Sequence, residues 1–126
     1  DEVVAVAWSP DGKKVATAGL DNQLKVWNLE GANPGQWGMM FAGDYADQCM
    51  LTAPVAWSPD SKKIVTVGSG LTIWNVSGSE PSEWRLIKTL DLSHATGECV
   101  TAVSWSPDGT KIATGGWDGE NNVAIW

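Results

Sequence analysis

The chain has 126 residues, 43% of them hydrophobic, with 14 Gly and 9 Trp, which suits one domain with a sizeable core and excludes a disordered or low-complexity segment. Eight Lys and Arg stand against fifteen Asp and Glu, and the formal net charge of -7 disfavours nucleic-acid backbones and anionic membrane surfaces. No apolar run approaches the roughly 18 residues of a membrane span, and no basic stretch followed by an apolar one marks a signal peptide.

Val3 to Trp8 (VVAVAW) is almost wholly apolar, and a short apolar run that ends at a turn predicts a strand buried on both faces. Ser9 to Lys13 (SPDGK) is that turn, with φ set by Pro10 and a hairpin signal in Asp11-Gly12. A second strand runs from Lys14 to Ala18, a second turn is made by Gly19-Leu20-Asp21-Asn22, and Leu24 to Leu29 (LKVWNL) alternates in polarity as a third strand does.

Trp27 then opens the phrase W-N-x-x-G-x-x-P-x-x-W, which returns without gaps from Trp74 to Trp84. Its Gly and Pro rule out a continuous strand and predict a long turn with a tryptophan at either end. The fourth strands follow as Trp37 to Ala42 and Trp84 to Leu90, the outermost of their units, with Trp37 and Trp84 expected near the rim, covering the sheet edge.

The whole series is restated. WSPDGKKVAT from Trp8 to Thr17 recurs as WSPDSKKIVT from Trp57 to Thr66 and WSPDGTKIAT from Trp105 to Thr114, with starts 49 and then 48 residues apart. Such a period marks a repeat architecture in which no unit buries its apolar face alone. The repeats are taken as 1–47, 48–96 and 97–126, the third without its outer strand. A sandwich has no reason to restate one decapeptide at every fourth strand, so the expected fold is an all-β propeller of four-stranded antiparallel blades, about three of them present.

The stretch VTAVSWSPDGTKIATGGWDG from Val100 to Gly119, followed by VAIW to Trp126, resembles a blade of the WD-repeat β-propeller family. The resemblance implies four to eight blades around a central channel. It further implies a non-catalytic scaffold that offers its loop face and rim to partner proteins, with no cofactor. In that family a loop His, a strand Ser or Thr, a turn Asp and the closing Trp form a buried network. The matching residues are His94, Thr114, Asp118 and Trp126 in the third repeat and Thr17, Asp21 and Trp27 in the first. The second keeps Thr66 and Trp74, its turn being reduced to Gly68-Ser69-Gly70.

The turns between second and third strands, and the loops leading to the next repeat, share one face of such a propeller. Leu20, Tyr45, Asp47, Trp117 and Glu120 are the partner-binding candidates there, with Trp117 either an aromatic anchor or packed on a neighbouring loop. Asn28 to Ala53 carries Glu30, Asp44 and Asp47 and no Lys or Arg, which would suit a basic protein partner. Lys13, Lys14, Lys62, Lys63 and Lys111 are offset by Asp11, Asp60 and Asp108, so no nucleic-acid stripe is read.

Nothing in the sequence supports an enzyme: there is no GxSxG, HExxH or phosphate loop, and His94 is the single histidine. Cys49 and Cys99 read as reduced thiols of a cytoplasmic or nuclear protein. The alternative to a scaffold is a structural subunit permanently buried in a large assembly. Three blades cannot close a ring, so the remaining blades come from a longer chain, which the irregular loop lengths favour, or from self-association into an even ring of six.

Overall fold

The computed structural model describes residues 2–31, 38–44, 54–67, 70–78, 80–91, 99–117 and 123–126, with backbone alone at 40–44, 81, 91, 99 and 117. The first sheet consists of β1 (Val3–Trp8), β2 (Lys14–Gly19), β3 (Gln23–Asn28) and β4 (Gly38–Asp44), hydrogen-bonded in that order. β5 (Val55–Trp57), β6 (Lys63–Val67), β7 (Gly70–Asn75) and β8 (Arg85–Asp91) make the second. The third has three strands, β9 (Cys99–Trp105), β10 (Ile112–Trp117) and β11 (Val123–Ile125). Every neighbouring pair is antiparallel, the meander that short sequential hairpins dictate. These are the blades of a β-propeller, the last without an outer strand.

The hairpins turn where the decapeptide places its Gly. Gly12 and Gly109 sit at φ 74° and 70°, in the left-handed region that an L side chain resists. Ser61 takes the same place in the second copy at φ 59°. The tryptophan that opens the second repeated phrase also has the same setting in the first two blades. A bulge falls between Val26 and Trp27 where β3 meets β4, and between Ile73 and Trp74 where β7 meets β8. Within the second phrase Pro81–Glu83 forms one turn of 3-10 helix, closed by the Glu83 N–H on the Glu80 carbonyl at 3.0 Å.

Side chains alternate across each sheet, and the blades stack so that the back of one meets the front of the next. In the first seam Ala16, Ala18, Leu24 and Val26 from the back of the first blade meet Trp57, Ile64 and Trp74 from the front of the second. In the second seam Val65, Val67 and Leu71 meet Val100 and Ile112. The core is therefore two slabs between three blades.

Two expectations are corrected by this stacking. β1 is not buried on both faces: Val6 is 65% and Trp8 63% exposed, because they lie on the front of the first blade, which no described residue covers. Nor does Trp84 cover a sheet edge. It is buried in the first seam beside Trp57 and Trp74, and its Nε1–H donates to the Gly78 carbonyl at 2.8 Å, so the 3-10 turn folds the indole inward.

Candidate interaction surface

Next to last in β3 and β7, and just after β11, stands a tryptophan whose indole reaches the second strand of its own blade. Trp27 Nε1–H donates to Thr17 Oγ1 at 3.0 Å, Trp74 to Thr66 at 3.1 Å and Trp126 to Thr114 at 3.0 Å. A buried indole N–H and a buried hydroxyl each need a partner, and here they supply one another. Thr66 and Thr114 are buried in the seams, whereas Thr17 and Trp27 lie on the open front of the first blade and are only half-buried.

Asp21 does not join Thr17 and Trp27. Its carboxylate forms an ion pair with Lys25 and accepts the Gln23 N–H at 3.2 Å. Lys25, and then the Gln23 N–H, hold its carboxyl below the usual carboxylate range. Asp21 thus closes the β2–β3 turn from above. Of the remaining expected network members, His94 and Asp118 lie outside the described residues.

At the opposite end of each blade the hairpin is tied by its own Ser and Asp. Ser9 Oγ donates to Asp11 Oδ1 at 2.6 Å and accepts the Lys14 N–H at 2.9 Å, while Asp11 Oδ1 also accepts the Lys13 N–H at 3.0 Å. Ser58 with Asp60, and Ser106 with Asp108, repeat the arrangement at the same 2.6 Å. Ser58 and the Lys62 N–H lower the Asp60 carboxyl, and Ser106 with Thr110 lowers Asp108 further. Burial opposes the effect at Asp11, yet Ser9 and the Lys13 N–H still bring it below its ordinary value. Lys13 meets Glu30 at 3.1 Å, which raises the lysine. The three hairpin carboxylates and Lys13 are thus engaged within their own hairpins and with Glu30.

The hairpins also touch each other. The Asp11 N–H donates to Ser61 Oγ at 3.2 Å across the first seam, and Gly109 lies against Pro59 across the second. Sequence reasoning saw the turn in SPDG but missed the Ser–Asp tie. The signal was available, since Ser precedes Pro-Asp in all three copies.

Among the partner candidates, Leu20 stands at the tip of the β2–β3 turn, 44% exposed, with its N–H donating to the Glu2 carbonyl at 3.0 Å. Asp21 and Glu2 flank it. Trp117 is the last residue of β10, in register with Cys99, so its backbone belongs to the strand rather than to a turn tip. Tyr45, Asp47 and Glu120, like Cys49, lie outside the described residues. Among the described residues no three His, Cys, Asp or Glu side chains are gathered as a metal site requires, and no helix is long and apolar enough to cross a membrane.

Other exposed apolar side chains mark the sheet margins. Leu86 and Ile87 on β8 and Met39 on β4 are each about half exposed along the outer strands. Val123 and Ile125 on β11 lie on the back of the third blade, 68% and 62% exposed. The residues in register with them in the first blade, Leu24 and Val26, are wholly buried.

Compared with known proteins, residues 1–28 and 84–123, together 68 of the 126, match the family described as WD domain, G-beta repeat. Strands β5, β6 and β7 of the second blade fall between the matched stretches although that blade folds as the first does; its shortened turn at Gly68-Ser69-Gly70 departs from the family pattern. The ribosomal RNA-processing protein 9 of Saccharomyces cerevisiae is 53% identical over 34 residues, 27% of this chain. The similarity spans 6% of that relative's own length.

Proposed function

The chain belongs to the WD-repeat family, and from that premise we propose that it is a non-catalytic scaffold which takes up a basic protein partner on the face carrying the β2–β3 turns. One observation carries the reading: the side chains that recur with the blade period are bonded to one another. The Thr hydroxyls serve the indoles, and the Asp carboxylates serve the hairpin Ser hydroxyls. The recurrent chemistry is consumed by the fold, and recognition falls to what the turns present.

On that face Leu20 offers an apolar tip between Glu2 and Asp21, within a chain of net charge -7. An exposed aliphatic group on an acidic chain suits a segment that pairs an apolar residue with Lys or Arg. The rim margins at Leu86 and Ile87 are a second place for the same partner.

The test is titration of the chain with an arginine-containing amphipathic peptide and with its glutamate counterpart. Binding of the first alone, weakened by salt and reduced by Leu20→Arg, is the expected result. Equal affinity for both peptides, or indifference to Leu20→Arg, would overturn it.

A second reading is favoured by a separate observation, the exposed apolar faces at Val6, Trp8, Val123 and Ile125. Surfaces of that kind suit a subunit held permanently inside an assembly. The yeast relative is named for ribosomal RNA processing, but the shared 34 residues are fewer than one blade's worth. Under this reading the chain stays soluble only when co-expressed with its assembly partners.

A further inference from the structure

The outer strand of the second blade is a different kind of edge from that of the first. β8 is bonded to β7 on one side only, and Arg85, Leu86, Ile87, Lys88 and Thr89 are exposed in succession. β4, its counterpart, contains no cation, whereas β8 holds two of the chain's eight. In a propeller the blades cover one another's faces, while the edge of each fourth strand points away from the axis. That edge stays open whatever stands on either side of the blade.

The bulge sorts the side chains of β8. Residues directly opposite each other in a sheet share a face. Leu86 stands opposite Trp74, which is buried in the first seam. Lys88 stands opposite Ile73, which packs in the second seam, and Arg85 stands opposite Asn75 on that same side. Ile87 is the extra residue, with no partner on β7, and is 48% exposed beside Leu86 at 46%. Strict alternation would put residues three apart on opposite faces; the extra residue brings Arg85 and Lys88 onto one face and leaves Leu86 on the other.

Neither Arg85 nor Lys88 forms an ion pair with a described residue. Glu83, two residues before Arg85, is turned into its own 3-10 turn, where its Oε2 accepts the Glu80 N–H at 3.4 Å. Trp84, buried with its N–H on the Gly78 carbonyl, pins the start of the strand. β8 is therefore a preorganised edge, which lowers the ordering cost of whatever pairs with it.

We propose that β8 takes up an extended acidic segment of a partner protein as a fifth strand of the blade. Carboxylates stand opposite Arg85 and Lys88, and one apolar residue between them meets Leu86 and Ile87. Because the bulge folds an extra residue into β8, plain alternation of acidic and apolar residues in the segment matches it. The main-chain ladder supplies affinity and the side chains supply choice. A lysine and a bulge are also what edge strands use against indiscriminate pairing; here they turn away basic strands and admit an acidic one. The inference rests on the scaffold reading above and adds to it a rim contact of opposite charge, apart from Leu20.

The probe is a fluorescein-labelled peptide of alternating Glu and Val, titrated with the 126-residue chain by anisotropy beside its Lys-Val counterpart. The acidic peptide alone should bind, and amide hydrogen exchange along β8 should slow when it does. Arg85→Glu combined with Lys88→Glu should weaken binding by roughly tenfold or more. No binding, equal affinity for both peptides, indifference to the charge reversal, or unchanged exchange along β8 would each overturn the proposal. Binding sensitive to Leu20→Arg would put the peptide on the loop face and overturn the rim site as well. Failure of the arginine-peptide test on that loop face leaves this result standing, so the two readings fail separately. Should the double variant not fold, the exchange of β8 in the wild type decides.

Discussion

The indole of Trp57 donates to the carbonyl of Ala7 across the first seam, 3.1 Å away. One blade later Trp105 opens the same decapeptide, and its Nε1 is buried with no partner. The difference lies in the receiving face. Ala16 stands beside Ala7 in the first blade, and Val65 beside Ala56 in the second. One seam is therefore polar-satisfied, while the other keeps an orphan donor, which costs on the order of 1–3 kcal/mol.

Replacing each indole by a phenyl ring should separate these costs. Trp57→Phe loses a made hydrogen bond and some packing, and should destabilise the chain by about 2 kcal/mol. Trp105→Phe loses similar packing but removes the unsatisfied donor, so its net effect should stay within about 1 kcal/mol of zero. Urea unfolding compares the two. Equal losses would mean that the Trp105 N–H finds a partner in solution.

The Trp–Thr pairs should grade with burial. Thr66→Val keeps the shape but removes the hydroxyl that accepts the Trp74 N–H, in a seam where Thr66 is 1% exposed. A loss of about 1–3 kcal/mol is expected. Thr17→Val breaks the same bond on the open front, where water reaches Trp27, and should cost less than about 1 kcal/mol. The ordering is the test, read from urea midpoints of both variants; a costlier Thr17→Val would contradict the open front.

The hairpin ties predict an acid limb. Asp60 and Asp108 have carboxyls held below their ordinary value by Ser58 and Ser106 and by backbone N–H groups. With a depressed folded value, the unfolded chain binds more protons as pH falls below about 4. Their contribution is complete above that pH and is lost as pH falls toward the folded values. Asp60→Asn keeps a neutral acceptor, so it should lie below wild type at pH 7 and converge with it in acid. Thermal unfolding from pH 7 to pH 2 checks this, and a constant gap would exclude the linkage.

Much of the fold was legible because the period is in the letters. WSPD recurs, each copy starts a hairpin, and β1, β2 and β3 begin and end within a residue of where their patterns place them. What could not be read is which blade face meets which. VVAVAW is apolar throughout, yet Val6 and Trp8 are exposed, because burial depends on a neighbour that a strand's own sequence does not specify. Trp84 was misplaced for a related reason: a Pro-containing turn says where the chain bends but not that the 3-10 turn carries the indole back to Gly78. The Trp–Thr pairs were legible only through the family resemblance, which implies a network joining a strand Thr to the closing Trp. The allocation of Asp21 to Lys25 rather than to Thr17 needed three dimensions.

Ser61 offers the last test, since it holds a left-handed place at φ 59° that Gly occupies in the other two hairpins. An L side chain costs about 1–2 kcal/mol there. Its hydroxyl offsets part of this by accepting the Asp11 N–H at 3.2 Å across the seam, an exposed bond worth about 0.5 kcal/mol. Ser61→Gly relieves the backbone and loses the bond, so it should stabilise by about 0.5–1 kcal/mol. Ser61→Ala keeps the strained backbone and loses the bond, so it should destabilise by about 0.5 kcal/mol. The order Gly, Ser, Ala in urea midpoint is the expected outcome. If Ala matched Ser, the hydroxyl would add nothing between the first two hairpins, and that seam would rest on its apolar packing and on the bond from Trp57 to the Ala7 carbonyl.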